Sequence, residues 1–363
     1  MKIDKPTAIL NSTIARRNIE RMAAKAQRSG VHFRPHFKTH QSAAVGEWFR
    51  DYGVTAITVS SVSMAAYFAD QGWQDITIAI PVNWLEIERI NDLAGRIQLH
   101  LLVESVDTAQ FLAANLAYPV HIWLKIDAGY HRTGLLWDDA AAIRSVADAV
   151  QASAKMQLMG GLTHSGHTYG TQSTAQIESI YQQTVERLQT VKNSLGIEHF
   201  QISIGDTPSC SVVGDFSAVN EIRPGNFVFY DWMQVQLGSC TWEDVAVAVA
   251  CPVIAKHADR QTIILYGGGV HFSKDHLKTA DGATHFGAVV QWQGDGWSAP
   301  VANTYLASVA QEHGIIKTDA AFFEQVQIGD VLLVLPVHSC MTCDLLKQYQ
   351  TVEGNMLEMG RFW

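Results

Sequence analysis

The sequence predicts an α/β fold, a (β/α)8 TIM barrel with a C-terminal mostly β domain, on three observations. Between residues 12 and 235, short apolar runs alternate with stretches of helical length. Eight such runs can be counted, and they read as strands buried on both faces, as in a parallel sheet wrapped by crossover helices. After residue 236 the runs are strand-like and separated by Gly, Asp and Pro, with little helix between them. The expected domains are a barrel at 12–235 and a β domain at 1–11 plus 236–363. A parallel sheet that opens without closing is the structural alternative.

Taken in order, "MKIDKPTAIL" precedes the first helix and can add a strand to the β domain. "NSTIARRNIERMAAKAQRSG" begins with capping residues and ends in Gly30, the start and stop signals of a helix. "HFRPHFKTHQS" (32–42) is the first strand and its exit, because the residue before Pro35 is biased away from helix. The other strands are "AITVSS", "DITIAI", "IQLHLLV", "HIWLKIDAG", "MQLMGGLTHSG", "HFQISIGD" and "EIRPGNFVFYD". Stretches such as "SVSMAAYFADQG" and "AQIESIYQQTVERLQTVKNSLG" supply the helices between them. In the C-terminal part, "EDVAVAVACPVIAKH", "TIILYGGG", "GAVVQWQG" and "GDVLLVLPVHSC" are the strand candidates.

Composition narrows the function classes. The 363 residues are 47% hydrophobic and 17% charged, which suits a globular chain and argues against long disorder. A formal net charge of -9 speaks against a nucleic-acid partner, which normally needs a basic face. No apolar run approaches the roughly 20 residues that span a bilayer, so no membrane partner is expected. The N-terminus lacks the charged head and apolar core of a secretion signal. Five cysteines, few and odd in number, fit a reducing cytoplasm better than a disulfide framework.

In a (β/α)8 barrel, functional groups gather where strands end and loops begin. Lys38 lies at the end of the first strand, Asp127 and Arg132 follow the fifth, and His164 and His167 end the sixth. "SIGDTPSC" follows the seventh strand and "RPGNFVFYD" lies at the eighth. Each has an ordinary reading: a lysine at a strand end is usually solvated, and a Gly-rich turn is usually only a turn. Their accumulation on one rim is harder to explain that way. "GDTPSC" suits an anion, because backbone N–H groups and the hydroxyls of Thr207 and Ser209 can converge there. Thr207 as a plain N-cap before Pro208 is an equally good reading of that stretch alone.

"RPHFKTH", "DAGYHRTG" and "GDTPS" together resemble the pyridoxal-phosphate (PLP) enzymes with an alanine-racemase-like barrel. Within that group the chain resembles the D-serine dehydratase/D-threonine aldolase family, over most of its length and including the β domain. The resemblance implies that Lys38 carries PLP covalently on its amine and that Arg132 lies near the cofactor ring. It implies that the turns Gly205–Ser209, with Thr207, and Gly225–Asn226 hold the phosphate. His164 and Tyr169 are implied near the ring or substrate. A crowded cationic neighbourhood lowers the pKa of a Schiff-base lysine, and Arg34, His36 and His40 are the sequence neighbours expected to act that way.

Near the other end of the chain, "PVHSCMTC" places His338 and Cys340 at i and i+2, which share a face in an extended segment. Imidazole and thiolate are a donor pair for zinc, and two protein ligands leave the ion open for substrate. Cys343 is a possible third ligand, a redox partner or a buried thiol. His32, His36 and His40 could share a ligand face, although a surface or supporting role fits their setting better. In the resembling family a His-x-Cys or His-x-Asp grips the substrate's β-hydroxyl, and the cysteine form resembles the zinc-dependent dehydratase branch. The expected function is a PLP- and Zn2+-dependent (or other divalent-metal-dependent) dehydratase of a small D-3-hydroxy amino acid. A metal-dependent D-threonine aldolase is the alternative, with a racemase or a non-catalytic PLP-binding protein behind it. The resemblance also implies a homodimer.

Overall fold

The computed structural model describes residues 2–278 and 282–362. The chain forms two compact units, one made of residues 1–19, 39–46 and 226–361 and the other of residues 20–38, 47–225 and 362–363.

The second of these units is the barrel. Its eight strands are His32–Phe33, Ala56–Val59, Asp75–Pro81, Gln98–Val103, Val120–Asp127, Met156–Leu162, Gln201–Ile204 and Glu221–Ile222. Every pairing between neighbours is parallel, running from the second strand through to the eighth and on to the first. The first and second strands meet through a single bridge, His36 to Thr58, with Phe37 N–H donating to Thr58 O (2.8 Å) and Thr58 N–H to Pro35 O (2.9 Å). The barrel is therefore nearly closed, and Pro35, which cannot donate, sits where a full ladder would need its N–H.

Local signals set the helices. Ser61, Ser105 and Ser173 each cap a helix by accepting a backbone N–H, at Val62–Asp70, Val106–Asn115 and Thr174–Leu195. Gly196 ends the last of these in the left-handed conformation (φ 62°).

The exit of the first strand is pinned by Phe37, which is fully buried. Its ring centroid lies 4.8 Å from Phe49, 5.0 Å from Phe68 and 5.1 Å from Trp73. Burying such a ring contributes about 1.5–3 kcal/mol, and each favourable ring pair about 0.5–1.5 more. The residue that follows is Lys38, so packing of this cluster fixes the backbone from which the lysine projects.

Opposite the exits, the strand starts carry a buried ionic network. Arg34 donates from Nε to Glu221 (2.7 Å) and from Nη2 to Asp75 (3.2 Å), and His100 Nε2 lies 3.1 Å from Asp75. Burial opposes ionisation of Glu221, but Arg34 and its other donors hold its carboxyl far below the ordinary range. This corrects the expectation that Arg34 tunes Lys38: its guanidinium is turned to Glu221 and Asp75, and those two carboxylates satisfy its charge.

The other unit is a largely antiparallel sheet. Its order is Thr262–Tyr266, His313–Lys317, Tyr305–Val309, Gly287–Val290, Val331–Pro336, Val247–His257, Thr7–Leu10, Gln348–Thr351 and Met356–Glu358. Thr262–Tyr266 also pairs with Val247–His257, closing the first six strands on themselves. Val249, Val253, Leu265, Val289, Leu306 and Val334 fill the enclosed core. Thr7–Leu10 runs antiparallel to Val247–Ala250, which gives the N-terminal strand its place.

Candidate active site

On the barrel unit, the chain after the first strand turns at Lys38, whose N–H donates to His36 Nδ1 (3.3 Å). His164 follows the sixth strand, and its Nδ1 lies 2.6 Å from Gly205 O, so that nitrogen carries the proton. Burial first, then the charges of Lys38, Arg132 and Arg223, depress His164 to about 3. The ring is therefore neutral, and Lys38, Arg132 and His164 all follow the C-terminal ends of barrel strands. Tyr169 stands 6.3 Å from His164 between ring centroids, and its hydroxyl accepts the N–H of Thr207 (3.3 Å).

The loop bearing Arg132 is organised by Asp127. Its Oδ1 accepts the N–H groups of Gly129 (2.8 Å), Tyr130 (3.0 Å) and His131 (3.0 Å). Burial would raise this carboxyl, but the three N–H groups and His131 hold it low. Gly134 closes the loop at φ 115°, where a Cβ would meet Asp127 N at 2.7 Å, so only glycine fits. Tyr130, which no local pattern singles out, places its ring 5.9 Å from His164 and beneath Arg132, whose guanidinium lies 5.3 Å from the ring centre.

The seventh strand delivers the anion candidate. Asp206, not Thr207, caps the helix Thr207–Val212 by accepting Ser209 N–H (2.8 Å). Thr207 is thereby released from capping. Its buried Oγ1 has no hydrogen-bond partner within the described chain. Gly205 is required by close approach, since a Cβ there would lie 2.8 Å from both Cβ and O of Arg223. A buried hydroxyl left unpaired is what a bound phosphate oxygen would satisfy, so this region fits the phosphate of PLP. Gly225 lies in the loop after the eighth strand, and Asn226 opens the one-turn helix Asn226–Val228.

Sequence reasoning also passed over Lys125 and Arg223. Both are buried, Lys125 on the fifth strand and Arg223 just after the eighth, and burial together with Arg223 and Arg132 pushes Lys125 down to about 8. Arg223 donates from Nη2 to Thr163 O (2.7 Å) and from Nε to Ser203 Oγ (2.6 Å), tying the sixth, seventh and eighth strand ends together.

On the other unit, His338 is extended (φ −134°, ψ 97°) and directly precedes the helix Ser339–Leu346 without capping it by its side chain, with Cys340 in the first turn. The sequence reading placed both on one strand; only His338 is extended, yet the Cys340 sulfur is among the groups that raise the imidazole's pKa. Thr39 Oγ1 lies 3.2 Å from Cys340 Sγ, and Asn226 Nδ2 donates to it at 3.6 Å. The same amide donates to Asp231 Oδ2 (2.7 Å) and Ser339 Oγ (3.0 Å), which orders the turn. His338 Nδ1 lies 2.8 Å from Asp275 Oδ2. Burial alone would lower His338, but the Asp275 carboxylate and Cys340 carry it up to about 11. Nitrogen and sulfur donors with a carboxylate behind the imidazole fit a divalent metal. Among the described residues, no group of three or more His, Cys, Asp and Glu side chains is disposed to hold one, so a metal here would have open positions. Cys343 is fully buried beside Tyr349, and burial pushes its thiol up, which does not prepare a thiolate. His32 is paired with Glu221 (3.1 Å), and His40 Nδ1 faces the backbone of Ser42, so the early histidines have separate roles.

Comparison with known proteins accounts for both halves. Residues 11–231 match the family model for the alanine racemase N-terminal domain, and residues 246–352 match a putative serine dehydratase domain. D-threo-3-hydroxyaspartate dehydratase from Delftia sp. (strain HT23) is 30% identical, over 98% of this chain and 96% of that protein. The chain belongs to the alanine-racemase-like family of PLP enzymes. Relatives that match over nearly the whole chain include dehydratases and an aldolase, and it is a PLP-dependent lyase of fold type III. D-serine dehydratase of Dictyostelium discoideum is 26% identical, over 97% of this chain and 94% of that one. D-threonine aldolase of Arthrobacter sp. is more distant, at 21% over 98% and 91%. The solved Delftia enzyme superposes with a TM-score of 0.91 at 29% identity, covering 100% of this chain and 99% of that one. A cysteine-to-alanine variant of D-threo-3-hydroxyaspartate dehydratase in the metal-free form matches equally well, with a TM-score of 0.91, 28% identity and the same coverage. Among the described residues of this family member, no helix is long and apolar enough to cross a membrane.

Proposed function

We propose that the protein removes water from a small D-3-hydroxy amino acid, giving a 2-oxo acid and ammonia, with PLP on Lys38 and a divalent metal, zinc first, on His338 and Cys340. D-serine, D-threonine and D-threo-3-hydroxyaspartate are the candidate substrates. The observation that carries the dehydratase reading is the imidazole–sulfur pair of His338 and Cys340 with Asp275 behind it.

PLP, when bound, supplies an electron sink for the charge that develops at the substrate α-carbon. Thr207, Ser209 and Gly205, with the Gly225–Asn226 turn, would hold its phosphate. Arg132, His164 and Tyr169 would border the ring, with His164 held neutral by its surroundings. Lys38 Nζ would take the proton from the substrate α-carbon, acting as the general base. The metal would supply Lewis acidity at the β-hydroxyl, which is otherwise a poor leaving group. The β-hydroxyl and the proton taken by Lys38 would leave together as water, and the enamine product, once released, would take up water to give the 2-oxo acid and ammonia.

The barrel (12–235) and the β domain (1–11 plus 236–363) are our proposed domain limits. All five cysteines are unbridged, which supports a cytoplasmic setting, and a homodimer is carried over from the resemblance. The test is to incubate PLP-loaded protein with the three candidate substrates, with zinc or with chelator, and to identify the products. Equal amounts of 2-oxo acid and ammonia, lost with chelator, are expected. Glycine and an aldehyde would make the protein an aldolase, an L-isomer would make it a racemase, and no product would leave a PLP-binding protein.

A further inference from the structure

The stretch "YGGGVHFSKD" (266–275) is built for close approach and ends at the carboxylate behind His338. A Cβ on Gly267 would lie 2.5 Å from Cys251 Sγ, and one on Gly268 would lie 2.4 Å from Gln311 O. These two glycines let the backbone press onto the sheet before the short helix Gly269–Phe272. Thr342 Oγ1, on the helix that carries Cys340, donates to Phe272 O (3.2 Å) and fastens the segment to that helix.

The next residue is Ser273, with φ 69° and ψ −172°. That region is essentially reserved for glycine, and a side-chain-bearing residue persists there only when its surroundings force it. The Ser273 hydroxyl donates to Asp275 Oδ2 (3.1 Å) and accepts the Asp275 N–H (3.1 Å). Asp275 Oδ2 in turn meets His338 Nδ1 at 2.8 Å. A strained residue, a carboxylate and an imidazole thus form one chain of contacts.

We propose that Asp275 is a positioning residue: it fixes the ring and tautomer of His338 so that Nε2 presents its lone pair to the metal, and Ser273 holds Asp275 in place. The inference rests on the metal reading of His338 and Cys340. With Nδ1–H committed to Asp275, Nε2 is the nitrogen left to ligate, and the nearby carboxylate makes it a better donor.

The test is zinc affinity, read by competition with a fluorescent chelator on the full chain, together with the thermal midpoint of the metal-free protein. Wild type, Asp275→Asn, Ser273→Gly, His338→Ala and Cys340→Ala are compared. Asp275→Asn is expected to weaken zinc binding about 10- to 100-fold. Ser273→Gly is expected to weaken zinc while leaving the metal-free midpoint unchanged or raised, because glycine relieves the strain. A purely structural role would instead lower the midpoint and leave zinc affinity alone, and that result overturns the proposal. Equal zinc affinity in wild type and Asp275→Asn overturns it while the metal reading stands. Zinc binding that His338→Ala and Cys340→Ala do not reduce overturns the metal reading and this inference together.

Discussion

Replacing Glu221 with Gln tests how the barrel floor supports the site. Glu221 is 2% exposed and accepts from Arg34 Nε (2.7 Å), Ser203 Oγ (2.6 Å) and His32 Nδ1 (3.1 Å). Arg223 Nε lies 3.7 Å away and reaches it through Ser203. Glutamine keeps the shape but removes the charge facing two buried guanidiniums. It also turns an amide NH2 toward groups that now donate to a carboxylate. Breaking a buried pair on one side costs about 3–5 kcal/mol. Arg34 keeps Asp75 as a partner, which places the expected cost near the lower end of that range. The cofactor-free variant should therefore melt about 4 °C lower at pH 7.

The pH dependence gives a second reading of the same change. The folded pKa of Glu221 lies far below the ordinary glutamate value of 4.5. Its contribution is thus complete above that value and is lost as pH falls through the acid range. The gap between wild type and variant should be full at pH 6 and should narrow below pH 4. Urea unfolding of both proteins at pH 7 and pH 3.5 measures it. A loss under about 1 kcal/mol at pH 7, or a gap that does not shrink in acid, would refute the reasoning.

Two further substitutions probe the phosphate region. Thr207→Val removes a hydroxyl that has no partner among the described residues, so the cofactor-free protein should keep its stability within about 1 kcal/mol, while PLP retention on dialysis should fall several-fold; unchanged retention would contradict a phosphate role. Asp206→Asn should keep the helix cap, since either residue can accept Ser209 N–H. Burial raises the Asp206 carboxyl to about 6, above its ordinary value of 3.8, so wild type loses stability as pH climbs between those values. The Asn variant should lack that slope and be about 2–3 kcal/mol more stable than wild type at pH 7, measured by urea titration of the cofactor-free protein.

The barrel was legible in the sequence because its signals are local. Eight apolar runs, serine caps at Ser61, Ser105 and Ser173, and a stop at Gly196 each act within a few residues. The positions of Lys38, Arg132 and Thr207 at strand exits follow from the same periodicity. What local pattern could not supply was the partner of each charge. Arg34 lies four residues before Lys38, yet its carboxylates come from Asp75 and Glu221, 41 and 187 residues away. Asp206 took the cap from Thr207 because its carboxylate reaches Ser209 N–H, a choice between adjacent residues that spacing alone leaves open. His338 and Cys340 were legible as a pair, but the helix beginning at Ser339 was masked by the apolar strand running into it. Asp275 had no visible link to His338, 63 residues on, except the glycine run and the unexplained serine before it.

The most direct test of Lys38 as the cofactor-bearing residue is borohydride reduction of the PLP-loaded protein followed by peptide mapping. The phosphopyridoxyl mass should appear on the peptide containing Lys38, and Lys38→Ala should lose both that adduct and the visible absorbance. An adduct on another lysine, with buried Lys125 and its depressed pKa the first to inspect, or absorbance that survives in Lys38→Ala, would contradict it.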